Sequence, residues 1–235
     1  MATLFIVATP IGNLQDISGR ALSVLREVEV LACEDTRVTR KILSYYQIPR
    51  PPHLLSVHEH NEHKTVPRVV HFLEEGHDVA YTSDAGMPGI SDPGYLLVRA
   101  ARAAGHGVVV IPGPSAVITA LIASGLPTAG FTFLGFPPRQ SGRRQRLLAR
   151  FASAPETLIL YESPRRLGVL LAEALEILGD RRAAVAVDLT KMFESVEQDW
   201  LSALAERYRE TVRGEATVII AGHAPKFLRE TAEQE

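Results

Sequence analysis

Three observations predict an α/β fold of two domains: a mostly parallel sheet in the N-terminal half, then a mixed sheet in the C-terminal half. Short continuous apolar runs alternate with helix-period segments, as in a sheet buried on both faces. Several of these runs end directly in Gly/Pro-rich turns. In the second half, Ser195–Asp199 follows Leu189 after too few residues for a crossover helix, so that pair is expected to be antiparallel.

The elements follow in order. Leu4–Ala8 is a strand that ends in Thr9-Pro10-Ile11-Gly12-Asn13. Asp16 or Ser18 then caps a helix carrying Ala21, Leu22, Val24 and Leu25. Val28–Cys33 is the next strand, and a helix runs to Leu43. Leu54–Val57 is a strand, and Thr65–Glu75 is a helix stopped by Gly76. Val79–Thr82, helix Tyr95–Ala104, strand Val108–Ile111 and the small-residue helix Ala116–Ser124 complete this half. Domains are expected over 1–117 and 118–235. In the second, Thr132–Phe136, Thr157–Tyr161, Ala183–Leu189, Ser195–Asp199 and Ala216–Ala221 are strands. Arg143–Phe151, Arg165–Leu178 and Leu201–Thr211 are helices. The polar tail from Pro225 is expected to fray.

The 235 residues carry a net charge of −2, with 46% hydrophobic and 22% charged residues, the composition of a folded globular chain. A lone cysteine, Cys33, excludes an internal disulfide and a multi-cysteine zinc site. Its apolar neighbours make it a buried strand residue rather than a nucleophile. The N-terminus lacks the pattern of a signal peptide, and no apolar run approaches the ~20 residues that span a bilayer. A cytoplasmic protein without a membrane partner is expected.

Ligands of open α/β sheets bind beyond the carboxyl ends of the strands. Four loops of the first half occupy that position: Thr9–Asp16, Glu34–Arg37, Ser83–Gly94 and Pro112–Ser115. Ser83–Gly94 holds three glycines and two prolines in twelve residues, whereas connections of this kind run about 2–6 residues. It carries no phosphate-cradle motif, and Asp84 and Asp92 oppose a polyphosphate. A neutral or cationic ligand fits better. The segment His58-Glu59-His60-Asn61-Glu62-His63 is dense in polar groups. H-x-H in a loop without further ligands is a weak metal signal, so a solvated, substrate-facing loop is preferred and no metal is expected. Arg139, Arg143, Arg144, Arg146 and Arg150 form a basic segment with no acid inside it. It reads either as a phosphate-contacting face or as a solvated helix. Tyr161–Arg166 and Asp188–Lys191 end two strands. They either close a cleft from the second domain or make only ion pairs and caps.

Taken together, Thr9–Leu14, Cys33–Arg37, His60–Glu62, Asp84–Gly86 with Ile90–Gly94, Pro112–Ala116, Phe133–Pro137, Tyr161–Arg166 and Leu189–Lys191 resemble the tetrapyrrole-methylase-like family, on its ribosomal-RNA-methylating branch. The resemblance runs from Leu4 to about Ala221. Met87 departs from a usual Thr, and Asp188 from a usual Glu. The resemblance implies S-adenosyl-L-methionine as cofactor, held in a cleft between the two domains, and a homodimer. It implies 2′-O-methylation of a cytidine ribose in the decoding region of 16S rRNA, with the small ribosomal subunit as partner. By the same resemblance the cofactor rests against Pro10, Asp84, Ala85, Gly86, Gly89, Ile90, Pro114, Ser115, Phe133, Leu134, Tyr161, Glu162, Leu189 and Thr190. Glu62 or Asp35 is then the general base, with Arg37 and Lys191 handling phosphate or nascent alkoxide. His60, Asn61, Arg139, Arg143, Arg144 and Arg146 face RNA. Two alternatives stand beside this reading: a precorrin or porphyrin C-methyltransferase of the same fold, and a non-catalytic RNA-binding factor of ribosome assembly.

Overall fold

The computed structural model describes residues 2–210 and 213–229. The chain divides into two compact units, Met1–Ser115 and Ala116–Glu235. In the first unit, strands β1 (Thr3–Val7), β2 (Val30–Cys33), β3 (His53–Ser56), β4 (Val79–Thr82) and β5 (Gly107–Ile111) alternate with helices α1 (Gly19–Glu27), α2 (Thr36–Tyr45), α3 (Glu62–Glu74) and α4 (Tyr95–Ala103). The sheet order is β3-β2-β4-β1-β5, and every pairing is parallel.

This order decides where the helices go. From β1 to β2 to β3 the chain steps one way across the sheet, and through β4 to β5 it steps back. Right-handed crossovers then place α1 and α2 on one face and α3 and α4 on the other. The packing agrees. Ala21, Leu25, Ile42 and Leu43 cluster with Val7, Leu31 and Ala80. Val69, Leu73, Leu97 and Ala101 cluster with Leu4, Ile6, Ala32 and Tyr81. Alternate residues of one strand feed opposite cores, which is why the strands are apolar throughout. Cys33 is fully buried in β2, as its neighbours predict.

Ser18, not Asp16, caps α1: its hydroxyl accepts from the Ala21 N–H at 3.1 Å. Asp16 instead ends a short 3-10 turn, Leu14–Asp16. Helix α3 begins at Glu62 rather than Thr65 and carries Pro67 in its interior.

The second unit holds α5 (Ala116–Ala123), β6 (Phe131–Phe133), α6 (Ser141–Ala149), β7 (Thr157–Glu162), α7 (Leu167–Leu178), β8 (Arg182–Val187), β9 (Ser195–Trp200), α8 (Leu201–Arg207) and β10 (Ala216–Ile220). Helix α5 packs on β10, so the units divide just before it rather than after residue 117. The sheet order is β6-β7-β10-β8-β9. Strands β6 and β7 are parallel, and the other pairings are antiparallel. The sheet is mixed, and the β8–β9 pair is antiparallel as its short connection requires. Strand β6 stops at Phe133 instead of Phe136, because Gly135 turns the chain with φ 64° ahead of Pro137. Helix α8 ends at Arg207, while Thr211, its expected end, lies outside the described residues. The tail opens with one 3-10 turn, Pro225–Phe227, and 230–235 also lie outside the described residues. No helix among the described residues is long and apolar enough to cross a membrane.

Gly94 links β4 to α4 with φ 135°, and an added Cβ would meet the Tyr81 ring at 3.0 Å. Gly94→Ala is therefore expected to lower stability by more than about 1 kcal/mol in urea denaturation. Gly19, in the first turn of α1, has open space around it. Gly19→Ala should shift stability the other way, by roughly 0.5–1 kcal/mol.

Candidate active site

Three loops of the first unit converge at the carboxyl edge of its sheet. Thr9, after β1, and Gly86, after β4, exchange backbone hydrogen bonds of 2.9 and 3.0 Å. The Thr9 hydroxyl donates to the Ser83 carbonyl at 3.2 Å. Gly86 has φ 79°, and a Cβ there would stand 3.4 Å from Ile11 and 3.7 Å from the Pro114 carbonyl, so the β5 loop joins the same place. Pro10 is buried, Pro114 and Ser115 are half-buried, and Ala85, Gly89 and Ile90 are exposed.

Strands β2 and β4 are neighbours that send their helices to opposite faces, which opens a crevice between their ends. A cavity of about 390 Å³ lies there, lined by Glu34, Asp35, Thr36, Arg37, Ser56, His58 and Asp84. Its acids are tied to one another through backbone. The Asp35 N–H donates to Asp84 Oδ1 at 3.0 Å, and the Asp84 N–H donates to Glu34 Oε2 at 3.3 Å. Burial, followed by the neighbouring acids, pushes the carboxyls of Glu34 and Asp84 above their ordinary range. Burial and Glu34 lift Asp92 to about 6. Asp35 behaves oppositely. Arg37 forks its carboxylate at 3.0 and 2.5 Å and holds it down at about 2. A ring of under-compensated acids is a receptor for positive charge.

Two residues expected to face substrate are turned inward. Glu62 is only 8% exposed, and its Oε1 accepts the Gly94 N–H at 3.1 Å. It braces the end of the Ser83–Gly94 loop. Asn61 staples its own turn: Oδ1 accepts the His58 N–H at 2.8 Å, and Nδ2 donates to the Ser56 carbonyl at 3.0 Å. His60 is exposed. His58, which sequence reasoning passed over within the polar segment, lines the cavity. Finding it requires knowing that β3 pairs with β2 so that Ser56 stands beside Cys33.

In the second unit, β10 runs antiparallel to both β7 and β8, so β6, β7 and β8 end at one edge. The rings of Phe133 and Tyr161 meet edge-on at 4.9 Å, and exposed Phe136 lies 5.4 Å from Tyr161. Leu134 is half-buried. Glu162 is buried, and its Oε1 takes the Ser163 N–H at 2.7 Å and Arg166 Nε at 2.8 Å. Its Oε2 is buried with no partner among the described residues. After β8, Asp188 and Thr190 adopt left-handed φ of 49° and 66°, and Leu189 is buried. Lys191 is not a free cation. Its ammonium donates to Asp188 at 3.0 Å and to Glu215 at 2.9 Å.

The arginine segment divides. Arg139, Arg143, Arg146 and Arg150 are exposed. Arg144 is 4% exposed, bound to Glu173 at 2.6 and 2.7 Å and to the carbonyls of Pro138 and Arg139. It clamps α6 to α7 and does not belong to the solvent-facing basic surface. The pairing holds the Glu173 carboxyl below its ordinary range.

Arg144→Ala leaves Glu173 without its counter-ion and should cost about 3–5 kcal/mol in chemical denaturation, whereas Arg143→Ala should change stability by less than about 0.5 kcal/mol. For Asp92 the sign follows from its raised carboxyl. The folded state prefers the protonated form, so this contribution is present below the ordinary Asp range and is lost as pH rises through about 6. Asp92→Asn is therefore expected to be about 1–2 kcal/mol more stable than the parent at pH 7, allowing for solvent screening, with the gain gone at pH 4. Denaturation at the two pH values measures this.

The family model of the Tetrapyrrole (Corrin/Porphyrin) Methylases matches residues 3–205. The chain is 46% identical to ribosomal RNA small subunit methyltransferase I of Halalkalibacterium halodurans, over 95% of this chain and 77% of the relative. It is 47% identical to the protein of the same name from Xylella fastidiosa, over 94% and 82%. Among solved structures, the methyltransferase CobJ superposes with a TM-score of 0.72 at 17% identity, covering 95% of each chain, a likeness of fold. The chain belongs to the tetrapyrrole methylases, S-adenosylmethionine-dependent enzymes, and within them to the ribosomal RNA small subunit methyltransferase I family.

Proposed function

We propose that this enzyme methylates 16S rRNA of the small ribosomal subunit, at the 2′ oxygen of a cytidine ribose in the decoding region. The observation that carries the donor half of the reading is the acid-lined crevice at the β2–β4 edge. S-adenosylmethionine is a sulfonium that also bears an ammonium, and when bound it supplies an electrophilic methyl group. Raised carboxylates on Glu34, Asp84 and Asp92 fit such a cation and repel a polyphosphate. Pro10, Ala85, Gly86, Gly89, Ile90, Pro114 and Ser115 belong to the loops around that edge and present backbone to the donor. We assign Phe133, Leu134, Tyr161, Glu162, Leu189 and Thr190 to the donor as well. The acceptor half is supported by the relatives, whose names place their activity on ribosomal RNA, and by the exposed arginines of α6. In-line methyl transfer depends chiefly on holding donor and acceptor in register.

The test is transfer of labelled methyl from S-adenosylmethionine to unmodified small subunits and to free 16S rRNA, followed by nucleoside mass spectrometry. 2′-O-methylcytidine is expected. Label on a base, label only in a tetrapyrrole precursor, or donor binding without transfer would each overturn the reading. Arg143→Glu with Arg146→Glu should weaken subunit binding and reduce the slope of log affinity against log salt by about 1–2.

A further inference from the structure

We propose that the imidazole of His58 takes the proton from the acceptor hydroxyl, and that the Glu34 carboxylate orients it. This inference rests on the reading of the acceptor as a ribose hydroxyl.

A ribose hydroxyl is a poor nucleophile at neutral pH, so its proton needs a positioned acceptor. Most polar groups in and beside the crevice are already engaged. Asp35 is forked by Arg37 and is too acidic to compete. Asp84 spends Oδ1 on the Asp35 N–H. Glu62 is buried against Gly94. Cys33 is sealed within the sheet, and burial drives its thiol upward. Ser56 donates its hydroxyl to the Glu34 carbonyl at 3.1 Å. His58 remains. It is half-buried, it lines the crevice, and among the described residues its ring meets His60 edge-on, at 6.0 Å between centroids.

The backbone of His58 is fixed on both sides. Its N–H is held by Asn61 Oδ1 at 2.8 Å, and its carbonyl accepts the N–H groups of Asn61 and Glu62, each at 2.9 Å. Asn61 also grips the end of β3 through the Ser56 carbonyl. The polar residues of this turn thus anchor the one imidazole in the crevice, while Glu34 is anchored by the Asp84 N–H. The charged groups facing His58 are Glu34 and Asp35 after β2, Arg37 of α2, Asp84 after β4, and His60 of its own turn. As the 2′ oxygen bonds to the methyl carbon, its proton passes to the neutral imidazole. The electron pair of the carbon–sulfur bond returns to sulfur, which leaves as a thioether. The imidazolium formed then sits beside the carboxylates of Glu34 and Asp84.

The experiment uses the full chain, S-adenosylmethionine and unmodified small subunits. His58→Ala and His58→Gln should each lower kcat by about 100-fold or more, with KM for both substrates within about threefold of the parent. Imidazole added to the buffer should restore part of the His58→Ala rate, and a purely structural role would not respond to it. Glu34→Gln should fall by about tenfold without rescue. Should His58→Ala fold poorly by near-ultraviolet dichroism, His58→Gln and His58→Asn carry the comparison. Parental kcat in any folded His58 variant, or a lost rate that imidazole leaves unchanged, overturns the assignment. If the parent enzyme forms no 2′-O-methyl nucleoside, the ribose reading fails first and this inference falls with it. If the parent forms it and the His58 variants are unimpaired, only this inference falls.

Discussion

Carboxylates that accept backbone N–H groups from distant loops hold the carboxyl edge of the first sheet in shape. Asp84 takes the Asp35 N–H, Glu34 takes the Asp84 N–H, and Glu62 takes the Gly94 N–H. Charge-assisted bonds of this kind are the stronger sort, and each joins segments well separated in the chain. They also gather acids where acids repel. Arg37 relieves that repulsion mainly at Asp35, and to a lesser degree at Asp84. The carboxyls of Glu34, Asp84 and Asp92 stay raised by burial and by one another, so the loop geometry and the clustered charge have one origin.

The topology makes the crevice possible. A sheet whose strand order reversed nowhere would send every helix to one face. Here β2 and β4 are adjacent yet feed helices on opposite faces, so their loops part. Between β1 and β4 the Thr9–Gly86 bridge closes the same kind of gap. The cavity lies at the ends of β2, β3 and β4. The second unit uses a different device for precision. Asp188 bends with a left-handed φ, binds Lys191, and fills the space that a side chain at Gly214 would occupy, 2.3 Å from its carboxylate. The turn after β8 is thereby rigid before any ligand arrives.

Strands were legible in the sequence because both faces of each sheet are buried, which writes an uninterrupted apolar run for β2, β4, β8 and β10. The mixed character of the second sheet was legible from one short connection. What escaped depended on non-local geometry. The polar run His58–His63 hid the true start of α3, so Glu62 read as a loop residue facing substrate when it is a buried brace. Asn61 read as an RNA contact, but its amide is consumed by Ser56 and His58. Gly135 carried the only sign that β6 would stop early. The convergence of the four loops could be argued from strand ends. Which of their side chains face the opening could not, since that depends on the register of β3 against β2.

The same limit applies to counting cations. By sequence, Arg143, Arg146 and Arg150 share one helical face at i, i+3, i+7, but nothing there shows that Arg144 is paired, and Lys191 looks as available as Arg37. In the fold, Arg37 is bound to Asp35, Arg144 to Glu173, Arg166 to Glu162, and Lys191 to Asp188 and Glu215. Positive charge already paired inside a protein releases no counterions when a polyanion binds, so only unpaired surface cations contribute to the salt dependence of binding. That leaves Arg139, Arg143, Arg146 and Arg150 as the exposed set on and beside α6. A net charge of −2 is then no obstacle to a nucleic-acid substrate. Three acids gather at the β2–β4 crevice, the paired ions cancel locally, and the exposed arginines on and beside α6 keep their charge at the surface.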